Sequence, residues 1–169
     1  LDWGPVLGGY LASLLVAATY AAVGLFVSSR TDNQIVSLIV TVLVCVVLYG
    51  LGTRLVTDLA GETTSEILRA MGTGSRFESI ERGVVDLRDL LYYSSLTVLF
   101  LMLNIVSLDS KRWATGHRAA SYRRMITMRI ALVGANLVAM NVWLFPISTL
   151  RLDLTAQQEY SLSPITREL

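Results

Sequence analysis

The sequence predicts an all-α, polytopic membrane protein with four transmembrane helices and an external amphipathic helical pair. Two observations carry this. Of 169 residues, 53% are hydrophobic and only 16% charged, and mean hydropathy is +0.57, whereas soluble domains carry about a quarter charged residues. Uncharged stretches also recur at the length of roughly 20 residues that crosses about 30 Å of hydrocarbon as a helix. A β-barrel is excluded because "LIVTVLVCVVLYG" is apolar on every face instead of alternating.

The expected spans are Pro5 to Val27, Ile35 to Thr53, Leu90 to Leu108 and Ile130 to Leu150. "LDWGPVLGG" has no basic region before a short apolar core, so it does not read as a signal peptide, and the chain is expected to belong to a longer polypeptide. In the first span Gly4 and Gly8 form a GxxxG, and Ala18 and Ala22 extend a small-residue face that lets another helix approach closely. The single cysteine, Cys45, lies mid-span and reads as a small buried hydrophobe. Asn104, Asn136 and Asn141 read as interhelical hydrogen-bonding groups.

Four spans place the first and third loops on one side and the middle loop with both ends on the other. The third loop, Asp109 to Arg129, holds Lys111, Arg112, Arg118, Arg123, Arg124 and Arg129 against the single acid Asp109, while the middle loop mixes arginines with more numerous acids. The positive-inside rule then favours cytoplasmic loops at 28–34 and 109–129. Trp113, Tyr92 and Tyr93 fit as interfacial anchors at the two ends of the third span. The basic loop suits anionic inner-leaflet lipids or an acidic cytosolic partner.

Within the middle loop, Phe77, Ile80, Val84, Leu87 and Leu91 are spaced to share one face of a helix, with charges on the others. Glu78 and Arg82, and Arg82 and Asp86, stand at the separation where opposite charges meet on a helix. An amphipathic helix is therefore expected to run through Phe77 to Asp89 into the third span. Before it, "ETTSEILRAMGTGS" predicts a short helix with Ile67, Leu68 and Met71 on one side, stopped by Gly72 and Gly74. The bland alternative for the pair is a solvated connector; the sharper one is a unit that dips toward the membrane over a cavity.

His117 sits alone among arginines, without the Cys, Asp or Glu companions of a metal site. There is no GxxxxGK[ST], GxSxG or HExxH motif, so neither ATP hydrolysis nor other catalysis is expected of the chain, and no metal or cofactor. A net charge of +1 gives no argument for nucleic acid.

"DWGPVLGGYL", "AAVGLFVSSRTDNQIVSLIVT" and "SRFESIERGVVDLRDLLYYSSLTVLFLMLNIVSLDSKRW" resemble the last three spans of an ABC-2 type exporter permease of the gliding-motility-associated kind. "RLDLTAQQEYSLSPITREL" resembles the start of its auxiliary subunit, with Ser163 as an N-cap and Pro164 in the first turn of a further helix. The resemblance implies a fusion. Residues 1–113 would be the C-terminal half of a permease, with an external helical loop at 58–89. Residues 114–169 would supply a basic cytoplasmic linker, a fourth span and the start of an extracytoplasmic domain.

It further implies a bacterial cytoplasmic (inner) membrane, extracytoplasmic chain ends, a second permease unit, and a separate cytosolic ABC ATPase that binds the ATP. On that reading Phe77, Glu78, Glu81, Arg82, Asp86, Arg88 and Asp89 form an external gate helix. Arg30, Thr31, Asp32, Asn33, Gln34, Lys111, Arg112, Arg123 and Arg124 would form the cytoplasmic partner contact. The rival expectation is a structural membrane subunit that anchors or pads a larger complex and moves no substrate.

Overall fold

A computed structural model describes residues 3–58, 62–112, 119–144 and 151–154. In chain order the elements are α1 (Trp3–Arg30), α2 (Gln34–Gly50), α3 (Arg54–Thr57), α4 (Glu62–Met71), α5 (Thr73–Glu81), β1 (Val84–Asp86), α6 (Leu87–Arg112), α7 (Ala119–Leu144) and β2 (Arg151–Asp153). Among the described residues, the regular structure is helical apart from one two-stranded antiparallel sheet, in which Val84 faces Asp153 and Asp86 faces Arg151.

Among the described residues, three helices are long and apolar enough to cross a membrane: α1, α6 and the Arg124–Trp143 part of α7. The expected second span corresponds to α2, which is apolar but has 17 residues, about 25 Å at 1.5 Å per residue. It starts sharply because the Asn33 side chain accepts from the backbone N–H of Ile35 at 2.9 Å, satisfying a donor that the first turn leaves open.

The long helices form a row rather than a closed bundle among the described residues: α2 on α1, α1 on α6, α6 on α7. Contacts between Thr19 and Thr97, Phe26 and Phe100, and Ser29 and Ser107 advance together along both chains, so α1 and α6 run parallel. Gly4, Gly8, Ala12, Thr19, Ala22 and Val23 supply the buried face of α1. Small side chains let backbones close in where lipid gives no hydrophobic drive for helices to associate. Ala22 belongs to this face, but Ala18 is exposed. The face continues from Gly8 through Ala12 and Thr19 instead, because at 3.6 residues per turn Ala18 lies about a quarter turn off it.

Polar groups fasten the row. Thr19 and Thr97 hydroxyls meet at 3.0 Å between α1 and α6, and the Asn141 amide donates to Ser95 Oγ at 3.0 Å between α7 and α6. Asn141 therefore does the work expected of it; Asn136, by contrast, is exposed. Cys45 is half-buried on α2.

The two ends of the row differ. One carries the sheet, α5 and the apolar cluster of Ala12, Ile80, Val85 and Tyr93. The other carries the α1–α2 turn and the α6 C-terminus, where Lys111 reaches Asp32 at 3.6 Å. The expected third loop is largely helix: α6 runs on through Arg112 and α7 starts at Ala119. Trp113, His117, Arg118, Ser163 and Pro164 lie outside the described residues, as do residues 145–150 of the expected fourth span.

Candidate functional site

The expected helix over Phe77 to Asp89 is broken. Helix α5 ends at Glu81, Arg82 and Gly83 turn, Val84 to Asp86 form β1, and α6 begins at Leu87. Gly83 has φ 85°, a left-handed conformation that costs glycine nothing and interrupts a helix. Val84 and Val85 favour the strand by their branched Cβ, and the tail strand β2 offers them a ladder, extended by the Leu154 N–H donating to the Gly83 carbonyl at 3.0 Å. The apolar 3–4 spacing was thus satisfied by packing a short helix and a strand on one core, not by one continuous helix.

The break redistributes the charges. Glu78 on α5 and Arg82 in the turn that follows it pair as expected, at 3.7 Å and largely exposed. The expected Arg82–Asp86 pair is not made, because Gly83 turns the backbone between them. Asp86 precedes α6 and accepts from the backbone N–H of Arg88 at 3.0 Å in the manner of an N-cap. Its other oxygen takes the Arg88 guanidinium at 2.6 Å.

Arg76, which the sequence reading passed over, occupies the centre. Its guanidinium donates to Asp89 Oδ1 at 2.7 Å, with side-chain exposures of 16% and 10% for the two residues. The same group stacks 4.3 Å from the centroid of the Tyr92 ring, an arrangement that suits a planar, weakly hydrated cation. α5 is thereby bonded to the first turn of α6 by a largely desolvated ion pair.

Three tyrosines fix the start of α5 and the end of α4 just before it. Tyr93 Oη donates to the Thr73 carbonyl at 2.7 Å, Tyr20 Oη meets Thr73 Oγ1 at 2.9 Å, and Tyr92 Oη donates to the Met71 carbonyl. Tyr93 and Thr73 are fully buried. Tyr93 is therefore an internal clamp and not the interfacial anchor expected from its position, while Tyr92 is only half-buried. A phenol carries both a large apolar ring and a hydroxyl that needs a partner when buried.

Backbone touches backbone at three points of this seat. A Cβ on Gly8 would overlap the Ile80 carbonyl and crowd Gly83. Gly8 of the GxxxG thus admits the α5–β1 turn. Where α2 ends, Gly72 lies directly against Gly52. Gly72 does stop α4, as expected, but Gly74 lies inside α5 and meets the Tyr49 carbonyl, 2.6 Å from where its Cβ would stand.

Of the residues expected to form the gate, Phe77, Glu78 and Glu81 lie on α5, Arg82 in the turn, Asp86 on β1, and Arg88 and Asp89 on α6. They meet in one place, but Asp86, Arg88 and Asp89 hold that place together while Glu78, Glu81 and Arg82 face outward. Of the expected partner contact, Arg30, Thr31, Asp32, Asn33, Gln34 and Lys111 gather at the opposite end. Arg112 ends α6, and Arg123 and Arg124 lie near the start of α7. No group of three or more metal-ligating side chains occurs among the described residues. The site is thus a short helix held across neighbouring helices through the Arg76–Asp89 ion pair.

No protein family, curated protein or solved structure matches this chain.

Proposed function

We propose that the chain is the transmembrane permease part of an ABC-2 type exporter, driven by a separate cytosolic ABC ATPase and paired with a second permease unit. The observation that carries this reading is the seat of α5. A short helix wedged against α1, the end of α2 and the first turn of α6 is placed to move when those helices tilt. On this reading α5 and β1 are the external gate, and the Arg76–Asp89 pair is its latch.

The rest of the proposal follows from the row. α2 acts as a fourth crossing, its shortfall against about 30 Å of hydrocarbon taken up by local thinning of the bilayer. The end with Arg30, Lys111, Arg124 and Arg129 faces the cytoplasm of a bacterial inner membrane, by the positive-inside rule, and meets the ATPase. The apolar outer faces of α2 and α7 meet lipid or the second permease unit. Nucleic acid has no part, and the ATP is bound by the partner.

Purification in mild detergent followed by mass spectrometry of the intact complex tests this. An ATPase in fixed stoichiometry is the expected result. A reproducible assembly without an ATPase would instead favour the structural membrane subunit, with the α5 seat as a rigid edge. The gate is tested separately by joining α5 to α6 with a chemical cross-link. Transport should stop while ATP hydrolysis continues, and unchanged transport would remove the gate from the proposal.

A further inference from the structure

Outside the latch, a groove of about 330 Å³ opens between the N-terminal part of α1 and α5. That is the lower end of the range of roughly 300–1,000 Å³ in which small-molecule sites fall. Its walls come from Pro5, Val6, Gly9, Tyr10, Phe77 and Glu81. Ser13 also borders it, but its hydroxyl is committed to the Gly9 carbonyl at 2.8 Å. Two polar groups remain available, the Glu81 carboxylate and the Tyr10 phenol.

The surrounding cations do not neutralise Glu81. Among the described residues Arg82 pairs with Glu78, Arg76 with Asp89, and Arg88 with Asp86. The groove mouth therefore presents an exposed carboxylate beside apolar walls. It opens beside the face of α1 that bears Leu7, Tyr10 and Leu14, which are 57%, 76% and 68% exposed. Because α1 is apolar and long enough to span a membrane, this is a face that lipid would reach.

We propose that this groove binds a phospholipid with a primary-ammonium headgroup, of the phosphatidylethanolamine type. The ammonium donates to Glu81, the Tyr10 hydroxyl donates to the phosphate, and the glycerol and upper acyl carbons lie on Pro5, Val6 and Phe77. Charge complementarity selects the class: a carboxylate rejects anionic headgroups, and as an acceptor it prefers an N–H donor to a trimethylated amine. The site requires only that α1 lie in a bilayer, so it holds whether or not the chain transports.

Native mass spectrometry of the full chain, released from micelles with equal amounts of phosphatidylethanolamine, phosphatidylcholine and phosphatidylglycerol, tests it. The ethanolamine lipid should be retained above the other two. Glu81→Gln should lower that retention about fivefold, the scale an exposed charge pair supports, with the helical circular dichroism and melting midpoint unchanged. Tyr10→Phe should lower it less. Equal retention of ethanolamine and choline lipids, preference for the glycerol lipid, or full retention by Glu81→Gln would each overturn the proposal.

Discussion

The two ends of the helical row use the same charged residue types to opposite effect. At the sheet end Arg76 and Asp89 are nearly buried, 2.7 Å apart, and backed by an aromatic ring. At the far end Lys111 and Asp32 stand 3.6 Å apart, with Asp32 fully exposed. Water screens the second pair and not the first, so one is a structural joint and the other a feature of an open electrostatic surface. Burial, more than the presence of charge, separates a part that holds the fold from a part that is free to meet a partner.

The sharpest way to break this contrast is Asp89→Ala. It leaves the Arg76 guanidinium buried beside Tyr92 without its carboxylate, and breaking a buried pair on one side costs about 3–5 kcal/mol. The expected outcome is a large drop in the thermal midpoint in detergent, together with rapid labelling of a Phe77→Cys probe in a Cys45→Ala background. Replacing both partners, as Arg76→Met with Asp89→Leu, should restore most of the stability. If the double variant is as unstable as the single one, the pair acts by something other than charge.

Gly8→Val comes next. Its side chain must enter the space held by the Ile80 carbonyl and Gly83, and that turn is tied to the tail through Leu154. Overpacking of this kind costs about 1–3 kcal/mol. Protease should then cut around Arg82 faster, while the same substitution at Gly9, whose Cβ would meet nothing, leaves the cutting rate unchanged. A smaller loss, about 1 kcal/mol for one hydrogen bond, is expected for Tyr93→Phe, which removes the donor to the Thr73 carbonyl. Hydrogen exchange at the start of α5 should rise and exchange in α7 should not.

The same contrast marks what could be read from the sequence. The long helices were legible because length and apolarity suffice to define them, and α1 and α6 fall where the hydropathy put them. The helix expected over Phe77 to Asp89 was not, because its 3–4 apolar spacing also fits a short helix followed by a strand. The deciding facts were distant in sequence: Arg151 to Asp153 as the strand partner, and Gly8 as the surface that receives the turn. Gly83 was the one local signal, an isolated glycine before two valines. Arg76 was missed for a related reason. Its partner Asp89 belongs to the next helix, beyond the reach of any rule about charges spaced along one helix. Tyr93 misled because an aromatic residue at the head of an apolar run has the pattern of a membrane-surface anchor, and only burial reveals the clamp.

The smallest expected effect lies at the far end. Asp32→Ala removes the fully exposed partner of Lys111, so the thermal midpoint should stay within error, in low salt and in high salt alike. The same change removes an acid from beside Arg30 and Lys111 and makes that surface more positive. Binding to vesicles rich in anionic lipid should therefore strengthen as salt is lowered, by more than in the unaltered chain. A fall in stability at Asp32→Ala comparable to that at Asp89→Ala would mean that this end also holds the fold. The division of the molecule into a locked end and an open one would then fail.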